Sequence, residues 1–230
     1  MNNKQIELIK TARIAGFWYL LLAIFGILGF MVFHSQIYLS SDPEQTLTNL
    51  IEQESLSRVR LLFELLIVLS QALAALWFYK LFKGISDWQA WAVGIWGSVN
   101  AVVIMLSAIA MAAAIQIAGS AVQAFEDKVL LIDLLGQLIK HSWNVGGLFF
   151  GLWLIPMGNI IVTSKRMPVW LGRTLILGGI GYILSTLISY MGFQHALLNV
   201  LTIPATIGEF WMIGYLLIYG IRPLNEQNAS

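Results

Sequence analysis

Apolar residues in this chain gather into six long runs, not the short alternating patches of a half-buried sheet. The runs cover residues 14–33, 59–79, 88–117, 142–162, 171–190 and 203–221. Each passes the roughly 18-residue length at which an apolar stretch reads as a bilayer-crossing helix. At ~1.5 Å per residue the third is about 45 Å long, so it must tilt or project from the bilayer. The pattern predicts an all-α fold: a polytopic membrane bundle of six transmembrane helices, with 1–230 forming a single integral membrane domain. The first run follows a basic segment, as a secretory signal would. It is longer than the ~7–15 residues of a signal's apolar core and no small-residue cleavage pattern follows, so it reads as a retained span.

Two of the connecting segments carry helical signals of their own. Asp42-Pro43-Glu44 has an acidic cap, proline at the first helical position and acid in the first turn. The residues that follow bring Leu47, Leu50, Ile51 and Leu56 toward one face, which predicts a short amphipathic helix lying on the membrane surface. Between Ala121 and Lys140, Phe125, Val129, Ile132, Leu135 and Leu138 alternate with Glu126, Asp127 and Asp133, predicting an amphipathic helix that leads into the fourth span.

Composition agrees: 58% of residues are hydrophobic and 11% charged, against about 25% charged in ordinary soluble domains. The net charge of +1 offers no electrostatic case for nucleic acid. The absence of cysteine excludes disulfides, thiolate metal sites and cysteine nucleophiles. With the N-terminus inside, the inner segments hold Lys4, Lys10, Arg13, Lys80, Lys83, Lys165, Arg166, Arg173 and Arg222, and the outer ones Arg58, Arg60, Lys128 and Lys140. That asymmetry predicts cytoplasmic N- and C-termini. Trp77, Trp88, Trp91 and Trp170 then fall at the inner interface and Trp143 at the outer one.

Only two carboxylates interrupt the runs, Glu64 and Glu209, both near the predicted outer side. An ionisable group within a span costs roughly 2.5–3.5 kcal/mol at mid-helix on insertion scales, so it needs a partner or a function. Ser57, Arg60, Glu64 and Gln71 share one helical stripe. Glu64 can therefore pair with Arg60 one turn away, as an interfacial ion pair worth a few tenths of a kcal/mol if exposed. Glu209 has only Thr202 and Thr206 on its own face and requires a neighbour from another span. Asp133, Gln137 and His141 recur every four residues, followed by Asn144, Gly151 and Gly158. Small residues recur at Gly94, Ser98, Ala101, Ala108 and Ala112 and at Gly181, Ser185 and Ser189, as in closely packed membrane helices. Glu64, Glu209, His141, Asn144, Asp133 and Arg60 all belong to the outer half. Turned inward, they would line a polar pocket opening outward. His34 and His195 read as ordinary residues at span ends.

Phosphate-binding loops, dinucleotide fingerprints, zinc-protease HExxH and hydrolase GxSxG patterns are all missing, and no cofactor is implied. His141, Asp133, Glu64 and Glu209 have the chemistry of metal ligands, but they are scattered over three spans and lack a ligand spacing.

The segment Ala12-Arg13-Ile14-Ala15-Gly16 with Tyr19, the stretch FFGLWLIPMGNIIVTSKRMPVWLG from Phe149 to Gly172, GGIGY from Gly178 to Tyr182 and IGEFW from Ile207 to Trp211 occur in order. Together they resemble the bacterial multi-spanning membrane family catalogued as domain of unknown function 4386, across nearly the whole chain. The resemblance implies a six-span topology and a bacterial cytoplasmic membrane, and assigns no catalytic residue.

Three function classes fit the sequence. One is a sensor or accessory membrane protein without catalysis. Another is a small proton- or cation-coupled transporter using Glu209 and Glu64; Pro156 and Pro204 are the only prolines within or beginning spans, and none is plainly broken at midplane. The third is an enzyme or binder acting on a lipid or small apolar molecule. The partners these imply are the bilayer itself and a small-molecule or lipid ligand.

Overall fold

The computed structural model describes residues 3–193 and 197–223; His195 and the last residues of the chain lie outside them. The described residues form α1 (Asn3–Gly26), a π-helical stretch (Ile27–His34) running on into α2 (Ser35–Ile37), α3 (Pro43–Glu52), α4 (Glu54–Phe82), α5 (Asp87–Ala118), α6 (Phe125–Ser164), α7 (Val169–Tyr190), α8 (Leu197–Val200) and α9 (Ile203–Ile218). No strand occurs among the described residues. Among the described residues, six helical segments are long and apolar enough to cross a membrane. The helix that leads into the fourth span begins at Phe125, four residues after the start of the expected segment, and runs on as one 40-residue helix, α6, with Pro156 inside it. The chain divides into two compact units: Leu21–Ser70 with Ala101–Gly146, and Met1–Leu20 with Gln71–Asn100 and Gly147–Ser230.

In the first unit, α3 begins where the sequence places it. Asp42 accepts from the Gln45 backbone N–H at 2.9 Å, with Pro43 in the first turn. The apolar face of α3 packs on protein instead of lying on a membrane surface. Leu47 and Leu50 are buried with Ile37 against Met111, Ala114 and Ile115 of α5 and Ile132 and Ile139 of α6. Ile51, expected on that face, is exposed. Polar contacts seal the lower edge: Asn49 donates to the Ile37 carbonyl at 3.2 Å, and the Leu39 backbone N–H donates to Thr46 Oγ1 at 3.0 Å.

Backbone-to-backbone packing organises the second unit. A Cβ placed on Gly151 would meet the Gly179 carbonyl at 2.5 Å, and one on Gly158 would meet the Gly172 carbonyl at 2.5 Å. The same holds in reverse, at 2.7 Å from Gly179 to the Gly151 oxygen and 2.6 Å from Gly172 to the Gly158 oxygen. Two glycines seven residues apart on α6 thus face two seven apart on α7, and the antiparallel helices touch at two levels. Such contact replaces the hydrophobic drive that helices lack in lipid. The small-residue row of α5 is realised differently from its sequence pattern. Ala101 and Ala108 are buried, but Ser98 and Ala112 are exposed, and Gly97 makes the close approach, to Ala75.

Candidate functional site

Arg60 and Glu64 stand one turn apart on α4 and form an ion pair. Their side chains are 1% and 2% exposed, so this is a buried pair and not the exposed interfacial one the spacing alone suggests. Ser57 and Gln71 of the same stripe are also buried. The other Glu64 oxygen accepts from the Ser107 hydroxyl on α5 and, at 3.1 Å, from the Trp143 indole N–H on α6. Three helices thus converge on one carboxylate, and both of its oxygens are hydrogen-bonded. Arg60 uses one terminal nitrogen on Glu64; the other, also buried, has no hydrogen-bond partner among the described residues. The guanidinium carbon lies 6.0 Å from the Phe30 ring centroid, within cation–π range.

Phe30 opens an aromatic column on the helix end that follows α1. Phe30, His34 and Tyr38 recur every four residues, and their rings stack: 4.5 Å and 16° from Phe30 to His34, 5.0 Å and 16° from His34 to Tyr38. The π-helical stretch carries the first two. Its wider turn sets residues four apart more directly above one another, and such turns occur frequently at functional sites. Trp143 packs beside the column, 4.4 Å from Phe30. Gly136 makes room for Tyr38, since a Cβ there would meet the Tyr38 ring at 3.3 Å.

The column forms one wall of a cavity of about 320 Å³. α3 contributes Pro43 and Thr46, and α6 supplies Asp133, Gln137, Lys140 and Asn144. Two of the aromatic residues carry buried polar atoms, His34 Nδ1 and the Tyr38 hydroxyl, with no hydrogen-bond partner among the described residues. Burial holds the Tyr38 phenol above the ordinary tyrosine range, the nearby Arg60 charge opposing and the Glu64 charge adding to that shift. It is therefore a hydrogen-bond donor at any physiological pH.

Of the six residues singled out in the sequence, four belong to this region. Asp133 and Asn144 line the cavity, and Arg60 with Glu64 forms the pair behind Phe30. His141 is an exposed residue of α6 outside the lining. Glu209 belongs to the other unit, where the neighbour it requires is Tyr19 of α1. The Tyr19 hydroxyl donates to Glu209 Oε1 at 2.7 Å. The Tyr19 ring is itself held edge-on by Phe78 and Trp153, at 5.5 and 5.3 Å. Among the described residues no three His, Asp or Glu side chains are grouped as a metal ion would need.

Sequence reasoning missed Phe30, His34, Tyr38, Ser107 and Trp143 as parts of the site. The four-residue recurrence of the first three was a usable signal. Trp143 was masked by its fit to an interfacial belt, and Ser107 by the abundance of small residues on α5. An all-helical bundle with six candidate spans and a buried, fully hydrogen-bonded carboxylate defines a multi-pass membrane protein. Residues 14–220 match the family described as Domain of unknown function (DUF4386), and the chain belongs to that family. It is also similar to an uncharacterized protein of Archaeoglobus fulgidus, 27% identical over 70 residues, which is 30% of this chain and 43% of that one. The chain thus spans less than half the length of this relative. No solved structure matches.

Proposed function

We propose that this membrane protein is a non-catalytic binder, acting as a sensor or accessory subunit, and that it takes a small ring-bearing polar molecule into the cavity beside the Phe30–His34–Tyr38 column. The observation that carries this reading is the pairing of a cavity of about 320 Å³ with two buried polar atoms in its wall that lack hydrogen-bond partners among the described residues. Ligand sites combine an apolar, aromatic lining with a few polar groups that fix orientation, and start at roughly 300 Å³. Here flat rings would stack on the column, while Tyr38 donates and His34 Nδ1 exchanges a hydrogen bond. Asp133 and Lys140 offer both charge signs. The cavity lies in the segments that the distribution of Lys and Arg assigns to the outer side of a cytoplasmic membrane, so the ligand would arrive from outside.

Saturation-transfer NMR on the purified protein tests this with indole, benzoate and benzylamine as probes. Saturable binding of at least one probe, lost in Gln137→Trp, is the expected result. Gln137 is exposed and lines the cavity, so the larger ring blocks the site without entering the core. Binding of none, or equal binding by Gln137→Trp, refutes the reading.

The Tyr19–Glu209 hydrogen bond favours a second reading, proton-coupled transport. A carboxyl within a span and bonded to a single phenol can gain or lose a proton if water reaches it. Proton flux in liposomes that persists in Glu209→Gln counts against it.

A further inference from the structure

A second surface, independent of the cavity, runs along the unit that contains α9. Trp211, Tyr215 and Tyr219 recur every four residues, forming one stripe about 12 Å long that ends one turn before Arg222. Rings of Tyr215 and Tyr219 lie 5.3 Å apart. With Ile9 and Gln5 of α1 they line a groove of about 840 Å³, and Arg222 stands at its end. Trp211 and Tyr219 are 39% and 67% exposed and Tyr215 between them is buried, so the stripe presents an open aromatic ring at each end.

The Arg222 end is built. Arg222 N–H donates to the Arg166 carbonyl at 3.1 Å, and the Arg222 carbonyl accepts from Arg166 Nε at 2.7 Å. Arg166 also reaches Gln5 Oε1 at 3.3 Å, and Gln5 in turn donates to the Ile221 carbonyl at 2.7 Å. This closed set fixes the main chain from which the exposed Arg222 side chain projects. Gly220 makes the approach to α1 possible: its φ is +70°, and a Cβ there would meet Ile9 at 3.0 Å. Burial lowers the Arg166 pKa from the ordinary arginine value. None of the groove-lining residues is acidic, and Lys4 and Lys165 flank Gln5 and Arg166 in sequence.

We propose that this groove holds an anionic glycerophospholipid, its phosphate on Arg222 and one acyl chain along the Trp211–Tyr215–Tyr219 stripe. Trp211 and Tyr215 belong to a segment long and apolar enough to span the membrane, which would set that end of the groove in hydrocarbon. A guanidinium at its mouth matches phosphate in charge and in planar, two-pronged geometry. Trp and Tyr suit the boundary where an apolar body meets a polar tip. A free phosphate would use Arg222 alone and leave the aromatic stripe without a role.

Native mass spectrometry of the full chain in detergent tests this with equimolar phosphatidylglycerol and phosphatidylcholine. A single basic residue near the headgroup is worth about five-fold in lipid preference. The expected result is a preference of about that size for phosphatidylglycerol, lost in Arg222→Gln and kept in Lys10→Gln. Arg222→Gln keeps the main-chain bonds to Arg166, and an unchanged melting temperature confirms that it folds. Glycerol phosphate added at the lipid concentration should not compete. Equal binding of the two lipids, an unchanged preference in Arg222→Gln, or competition by glycerol phosphate overturns the proposal.

Discussion

The indole N–H of Trp143 donates to Glu64 across 3.1 Å, tying α6 to α4 through a carboxylate that also takes Arg60 and Ser107. Burial decides what this arrangement is worth. An exposed pair at this spacing would contribute a few tenths of a kcal/mol. Removing one partner of a buried pair leaves the other charge without compensation.

Glu64→Ala should therefore destabilise the protein by about 3–5 kcal/mol, read as a fall in unfolding free energy in mixed detergent. The double replacement Arg60→Met with Glu64→Leu should cost far less, because no buried charge remains. Trp143→Phe removes one hydrogen bond to a charged group and should cost about 1.5–3 kcal/mol. If Glu64→Ala proved no worse than the double replacement, the pair would not be buried as described.

Gly151 and Gly179 make the opposite kind of prediction. Alanine at either meets a backbone carbonyl within 2.7 Å, which cannot move as a flexible side chain could. Either change should destabilise by about 1–3 kcal/mol through overpacking. Gly26 has helical φ and ψ of −61° and −48° and nothing within 4 Å of its Cβ position. Gly26→Ala should be neutral or should stabilise by about 0.5–1 kcal/mol. Melting temperatures of the three variants separate packing glycines from a tolerated one.

Much of this fold was legible because membrane helices are specified by length and hydropathy alone. The start of α3 was equally plain, since Asp42 and Pro43 act locally on the backbone. Arg60 and Glu64 could be matched because partners one turn apart share a helix face. What remained hidden depends on neighbours. Nothing in the sequence says that Ser107 and Trp143 meet Glu64, or that Tyr19 meets Glu209, because those contacts arise from helix adjacency. The π-helical stretch Ile27–His34 contains no proline, and its one glycine, Gly29, is of a kind common within membrane helices, so its local sequence looks like ordinary helix. Ile51 fits the apolar face of α3 by spacing, yet it is exposed near the helix end.

Tyr19 should matter to Glu209 more than any residue on α9 itself. Tyr19→Phe keeps the edge-on packing with Phe78 and Trp153 and deletes only the hydroxyl. Loss of this hydrogen bond to a partly buried carboxyl should cost about 0.5–1.5 kcal/mol. Glu209→Gln keeps an acceptor oxygen for Tyr19 and should be milder. A thermal-unfolding comparison with Tyr19→Phe as the less stable variant is expected; the reverse order would mean that the hydroxyl is not the main support of Glu209.

Asp42 connects a local capping bond to the cavity. Its carboxylate satisfies the Gln45 N–H, one of the donors that a helix start leaves without an intrahelical acceptor. Asp42→Ala should cost about 1 kcal/mol, concentrated in α3 because the capped turn is local. Pro43 and Thr46 lie in that turn and line the cavity, so fraying there should loosen one wall while leaving the α4–α5–α6 contacts around Glu64 intact. Hydrogen exchange should show faster amides across the first turns of α3, with protection of α4 unchanged. Probe binding in the cavity should weaken by at most the free energy that the turn loses, because affinity falls only with the fraction of molecules in which that wall is closed. If instead α4 lost protection together with α3, the short helix would be part of the Glu64 framework and not a separately closing wall.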